Sequence, residues 1–255
     1  MNEGFPLRRP PLPAMIDIWM IDLDRPLSPG ANLDDILSIE ERKRADRYLF
    51  SRDALRFRLC RAMLRLGLAG YLEMAPEKIV LTTNGRGKPR VAGSGALNFN
   101  VSHSGGLGLI AYTTAGEVGV DVEAIRGDIE TLEIASAHFT KEEAAMVEAA
   151  ATPAEQAAAF LRLWTRKEAV LKAAGYGLLG GLDRADVSQG PSCLARLRGA
   201  TEDSAESCWR VEDLELTDGF AGAVAAPAGN WSVVLRPVGY EDAISGFAGG
   251  IAGIL

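Results

Sequence analysis

The chain has few of the residues from which thiolate or imidazole metal centres are built. It holds three cysteines, Cys60, Cys193 and Cys208, and two histidines, His103 and His138, in 255 residues. No cysteine pair has the short spacing of a zinc site. An odd, widely spaced set reads as reduced thiols of a cytoplasmic protein. Positive charge is also in deficit: 27 Lys and Arg stand against 34 Asp and Glu, for a net charge of −7. This argues against nucleic acid or an anionic membrane as the general partner. Long hydrophobic runs are missing too. Asp17 and Asp22 interrupt the apolar stretch after Arg8 and Arg9, so no secretory h-region forms. The glycine-rich end from Ile244 to Leu255 is shorter than the roughly 20 residues of a spanning helix and reads as a packed or frayed terminus.

What is present suits a soluble mixed fold. A hydrophobic content of 47% supports one large domain or two of half the size. Met15 to Leu23 reads as an opening strand, and Ser38 with Glu41 as a capping box. Leu55, Leu59, Met63 and Leu66 recur at helical spacing and predict a helix over about Asp53–Leu68 with those four facing the core. Strands are expected at Ile79–Thr83, Leu97–Ser102, Leu107–Tyr112 and Val118–Glu123. Two helices follow, 142–151 and 154–174, split by Thr152-Pro153. Trp209–Leu216, Gly222–Ala226 and Trp231–Leu235 read as closing strands. Helices followed by strands occur twice, with Thr114–Glu117 as the joint. This favours an α+β fold with antiparallel sheets over a doubly wound one, in halves 1–115 and 116–240 with a tail at 241–255.

Four segments carry candidate chemistry. In Val118–Glu123 strand alternation puts three valines on one face and Asp121 and Glu123 on the other; paired carboxylates suit Mg²⁺ but also an ordinary wet strand face. In Phe160–Lys172 (FLRLWTRKEAVLK) Trp164, Glu168 and Lys172 fall at i+4 intervals along a face that should be largely apolar, so Glu168 needs a partner: a metal or Lys172. In Asn98–Ser104 (NFNVSHS) Ser102 and His103 face opposite ways and cannot form a nucleophile–base pair, which argues against a serine hydrolase. Gly85-Arg86-Gly87-Lys88-Pro89 is not a P-loop, yet its turn can touch phosphate or a base. Residues 40–65 add nine cations against four acids, either a solvated helix face or an anion-binding wall.

In this order GRGKP, FNVSHS, GVDVE and WTRKEAVLK, with RKRADRYLFSRDALRFRLCRAMLR upstream, resemble the 4′-phosphopantetheinyl transferase superfamily, in its larger form that activates peptide and polyketide synthases. The likeness runs from about residue 15 to 235. It implies two similar α+β halves about a pseudo-twofold axis, with coenzyme A and Mg²⁺ between them. It also implies Asp121, Glu123 and Glu168 as metal carboxylates, with Asp121, Glu168 and Lys172 in the chemistry. Ser102, His103, Arg44, Arg52, Arg86, Gly87, Lys88, Pro89 and Lys172 would hold coenzyme A. Thr83 stands where some relatives carry a base for the 3′-phosphate. An apo carrier protein would be the acceptor, docking near Gly175–Leu197, and the two fused halves imply a monomer. The rival expectations are a coenzyme A- or carrier-binding module without catalysis, and a structural α+β protein.

Overall fold

Two sheets, each roofed by one 22-residue helix, organise the computed structural model, which describes residues 14–93, 95–126, 130–176, 181–189, 193–197 and 207–251. The chain opens with β1 (Met15–Asp22), then α1 (Ile39–Ala45), α2 (Ser51–Leu72) and the short hairpin β2 (Leu81–Thr83) and β3 (Pro89–Val91). Next come β4 (Asn98–Ser104), β5 (Leu107–Thr113) and β6 (Gly119–Ala124), then α3 (Thr131–His138), α4 (Lys141–Glu148) and α5 (Pro153–Ala174). The remainder is β7 (Ala185–Asp186), β8 (Cys193–Leu197), β9 (Ser207–Asp213), β10 (Phe220–Pro227), β11 (Ser232–Pro237) and α6 (Tyr240–Ile251).

The first sheet has the order β11-β1-β5-β4 and the second β6-β10-β9-β8-β7. Period-two alternation lets both faces of β1 be buried. Trp19 and Ile21 pack with Leu59, Met63 and Leu66 of α2, while Ile16 and Ile18 join Val118, Val120, Val122, Val224 and Ala226 in a core shared by the two sheets. Phe160, Leu163, Val170 and Leu171 of α5 cover the other face of the second sheet, against Val211, Ala223 and Ala225. The three valines thus point away from Asp121 and Glu123, as strand alternation requires.

Capping explains where the helices begin. Reciprocal side-chain-to-backbone boxes form at Ser38/Glu41, Thr140/Glu143 and Thr152/Glu155, the last with Pro153 in the first turn, where its missing N–H costs nothing. Gly175 ends α5 in the left-handed region at φ 74°, a conformation glycine adopts freely.

The structure departs from the sequence reading in four places. Leu55 is 47% exposed rather than in the core, while Phe57, two residues on and on nearly the opposite side of the helix, is buried. The expected strand at Ile79–Thr83 shrinks to β2 because Pro76 starts a single helical turn just before it. The segment expected to close the second half returns to the first sheet: β11 pairs parallel with β1, where Arg236 bonds the buried Asp17 at 2.8 Å. The fourth is smaller: the tail beyond 240, expected as a packed or frayed terminus, does pack, but as a helix as far as Ile251, with Tyr240 and Ala243 in the first core.

Candidate active site

The site forms where β4, an edge of the first sheet, lies beside β6, an edge of the second. Two facts bring α5 over this seam. Gly119 opens β6 without a side chain, and a Cβ built there would stand 2.0 Å from the Ala169 carbonyl oxygen and 2.4 Å from the Ala173 nitrogen. Helix backbone and strand therefore touch where only glycine fits. Arg166 then pins the same helix to β9 through a bidentate pair with Asp213, both contacts at 2.6 Å. Glu168 and Lys172, one helical turn apart, are thereby held over Asp121.

Asp121 and Glu168 are each 3% exposed. Lys172 Nζ donates to Asp121 Oδ1 at 2.6 Å and to Ser102 Oγ at 3.1 Å, while Ser102 Oγ donates to Asp121 Oδ1 at 2.8 Å. Asp121 Oδ2 and Glu168 Oε2 are buried and, among the described residues, accept no hydrogen bond, an expensive condition for a carboxylate. Burial foremost, then the charge of Asp121 with Glu123 adding less, against the opposing charge of Lys172, pushes Glu168 up to about 7. Glu123 is half-buried; burial raises its carboxyl above the ordinary value against a bond from Ser104, Oγ to Oε2 at 2.7 Å.

Do these residues fit a divalent cation? The donors are hard oxygens, two of them buried without partners, and Mg²⁺ takes one or two protein carboxylates with the rest of its shell from water and phosphate. They fit. A closed cage is not preformed: among the described residues no three His, Cys, Asp or Glu side chains already stand as a ligand cluster.

A cleft of about 730 Å³ opens between α1, α2 and the β2–β3 hairpin. Arg44, Phe57, Arg61, Thr83, Gly87 and Pro89 are among its lining residues. Arg44 lies over the Phe57 ring, 5.1 Å from its centroid. His103 projects exposed from β4; partial withdrawal from water, then the cations Lys172, Arg44 and Arg56, hold its imidazole below the ordinary value. The seam carboxylates are not in the cleft's lining; His103, on which both Lys172 and Arg44 act, relates the two places, and a concave lining with a cation beside an aromatic ring suits part of a nucleotide.

Comparison with known proteins decides the family. A family model described as the 4′-phosphopantetheinyl transferase superfamily matches residues 117–226, and one described as 4′-phosphopantetheinyl transferase, N-terminal, matches residues 31–115. The 4′-phosphopantetheinyl transferase HetI of Nostoc sp. is 33% identical over 220 residues, 85% of this chain and 89% of its own. The 4′-phosphopantetheinyl transferase Sfp of Bacillus subtilis is 29% identical over 227 residues, 88% of this chain and 98% of its own. The chain belongs to the 4′-phosphopantetheinyl transferase superfamily. A vertebrate relative, the L-aminoadipate-semialdehyde dehydrogenase-phosphopantetheinyl transferase of Xenopus laevis, is 28% identical over 203 residues, 73% of this chain and 67% of its own.

The transferase gathers some of the expected residues and separates others. Asp121, Glu168, Lys172 and Ser102 meet, while Arg44, Gly87 and Pro89 line the cleft. Lys88 differs: its ammonium is buried, donating to Glu117 Oε2 at 2.7 Å, Val118 O at 2.9 Å and Ala173 O at 3.1 Å. All three of its protons are spent inside the protein, so only its stem can line a ligand. Arg86 stacks on Tyr176 at 4.3 Å, and Arg52 is exposed beside Asp53. Much of the expected cationic wall is internal bracing: Arg61 and Arg65 hold Glu41, Arg58 holds Asp34 and Asp46, and Arg56 holds Asp24. In the expected docking segment Leu178 and Leu179 lie outside the described residues; Leu182 and Arg184 are half-buried and Arg196 is exposed.

Several working residues escaped the sequence reading. Lys167 and Glu143 are both fully buried and pair at 2.6 Å; Lys167 also donates to Leu182 O at 3.0 Å, and Glu143 accepts from Val187 N at 2.8 Å. Together they fasten the chain beyond α5 to the helix carrying Glu168. The only available signal was a lysine on the apolar stripe of WTRKE. Gly119 could have been read from a glycine opening an otherwise β-branched strand.

Proposed function

We propose that the enzyme transfers 4′-phosphopantetheine from coenzyme A to a serine hydroxyl of an apo acyl or peptidyl carrier protein, with Mg²⁺ required and adenosine 3′,5′-bisphosphate released. One observation carries the reading. Among the described residues, two buried carboxylate oxygens from different elements, Asp121 Oδ2 and Glu168 Oε2, accept no hydrogen bond beside a lysine.

Asp121 and Glu168, with Glu123 at the rim, would hold the cation. When bound, it neutralises charge on the diphosphate and on the departing bisphosphate. Lys172, which donates to Asp121 Oδ1, would stabilise the oxygens around the attacked phosphorus. Glu168 accepts the proton of the carrier serine as its oxygen attacks. The serine–phosphorus bond forms as the bond to the adenosine moiety's bridging oxygen breaks. His103 and Arg44 would meet the 3′-phosphate, with Gly87 and Pro89 lining the same cleft as Arg44. No covalent enzyme intermediate is needed.

The same reading makes the enzyme a cytoplasmic monomer serving peptide or polyketide synthases. Free thiols at Cys60 and Cys208 and two halves within one chain support it; among the described residues no helix is long and apolar enough to cross a membrane. Incubation with coenzyme A, Mg²⁺ and several apo carriers, read by intact mass, tests the function. A gain of one phosphopantetheine that chelation abolishes is expected. No gain on any carrier, or transfer indifferent to chelator, overturns it.

A further inference from the structure

The seam between β4 and β6 is unusual in how it is closed. Each strand ends its own sheet, so each presents unpaired backbone groups to the other. Side chains of β4 at every second position take up those groups. Asn100 Oδ1 accepts from Val120 N at 2.9 Å, and Ser104 Oγ accepts from Ala124 N at 3.1 Å. Between and beyond them the same row reaches the acids: Ser102 Oγ donates to Asp121 Oδ1, and Ser104 Oγ donates to Glu123 Oε2 at 2.7 Å. A three-rung polar ladder from one half thus sets the carboxylates of the other.

Ser104 has the distinctive place in this ladder. Its oxygen accepts from the β6 backbone, which fixes where its own proton can point, and that proton goes to Glu123. A half-buried carboxylate has several rotamers; a hydroxyl anchored at both ends selects one of them. We propose that Ser104 is a positioning residue that orients Glu123 toward the cation, so that cation affinity depends on a hydroxyl supplied by the opposite half. The inference rests on the reading of Glu123 as a metal carboxylate. Groups bonded behind a ligand in this way typically govern about 10–100-fold in metal affinity.

The experiment compares wild type, Ser104→Ala, Ser104→Thr, Glu123→Gln and the Ser104→Ala/Glu123→Gln double variant. Titration calorimetry with Mn²⁺ in the presence of coenzyme A, without carrier, gives affinity independently of turnover. Ser104→Ala should bind Mn²⁺ about 10-fold more weakly, and Ser104→Thr, which keeps the hydroxyl, within about 3-fold of wild type. The Mg²⁺ concentration giving half-maximal turnover should rise by the same factor in Ser104→Ala, with kcat at saturating Mg²⁺ changed far less. Adding Ser104→Ala to Glu123→Gln should cost nothing further, since the hydroxyl acts through that carboxylate. Unchanged Mn²⁺ affinity in a folded Ser104→Ala protein, or a full additional loss in the double variant, would overturn the proposal. Absence of Mn²⁺ binding in wild type would instead overturn the metal reading itself, so the two failures are distinguishable.

Discussion

Replacing Glu168 by glutamine should change how stability depends on pH, and the size of the change follows from the site. Glu168 ionises at about 7 in the folded protein against an ordinary 4.5, chiefly because burial penalises its charged form. An acid whose pKa rises on folding favours the native state only while protonated. Between pH 4.5 and 7 the unfolded chain loses its proton and the folded one retains it, so stability falls as pH rises. A shift of about 2.5 units at 1.36 kcal/mol each amounts to about 3 kcal/mol by pH 8. Glutamine does not titrate. In EDTA-treated protein the stability difference between Glu168→Gln and wild type should therefore grow in the variant's favour by about 3 kcal/mol from pH 4.5 to 8. For a chain of this size that is a relative gain in Tm of about 6–12 °C. Any constant cost of burying an amide where Oε2 has no partner shifts both ends equally and leaves the slope difference intact. Saturating Mg²⁺ with coenzyme A should reverse the order at pH 8, because it stabilises only the carboxylate form of the site. Scanning calorimetry in EDTA across this range provides the measurement. Parallel pH curves for the two proteins would refute the claim that a buried, crowded carboxylate sits at this position.

Three further substitutions test other parts of the architecture. Gly119→Ala places a methyl against helix backbone and should cost about 3 kcal/mol, the upper end for overpacking, with turnover down at least about 10-fold as Glu168 and Lys172 move away; a Tm within 2 °C of wild type, by the scale above, would contradict the close contact. Lys88→Met should lower stability by about 2–3 kcal/mol by stripping a donor from three acceptors, leaving the KM for coenzyme A within a few-fold; a large KM effect at constant Tm would make Lys88 a ligand contact instead. His103→Ala should raise the KM for coenzyme A by roughly 10–100-fold, equivalent to about 1.5–3 kcal/mol, and spare dephospho-coenzyme A; equal losses on both would remove it from the 3′-phosphate.

The elements that bury one face were legible because periodicity reports burial directly. The valine alternation of Val118–Val122, the capping box at Ser38 and the break at Thr152-Pro153 needed no tertiary knowledge. The arginine-rich stretch of 40–65 was ambiguous for a physical reason. A cation facing water and a cation facing an acid twenty residues away have the same local sequence, and only Arg61 and Arg65 meeting Glu41 decides between them. Lys88 shows the same limit. GRGKP describes a turn, but whether its lysine looks outward or inward depends on Glu117 and the end of α5 being next to it. Likewise β11 reads as a strand from its composition, yet nothing local says which sheet it joins.

The chemistry depends on contacts of this non-local kind. Asp121 and Glu123 sit on a strand whose order came from alternation, but their setting comes from Ser102 and Ser104 in the other half. Glu168 reaches them only because Gly119 lets a helix press against that strand. Each motif supplies one ingredient: hydroxyls from β4, paired acids from β6, an acid and a lysine from α5. None of the three could bind a cation well alone, since two exposed carboxylates on one strand gain little in water. On the proposed reading, any strength would come from the seam, where Asp121 Oδ2 and Glu168 Oε2 are buried together. A substitution that opens the seam, such as Gly119→Ala, should therefore weaken cation binding, coenzyme A binding and turnover in concert, whereas one that removes a single ligand group should separate them.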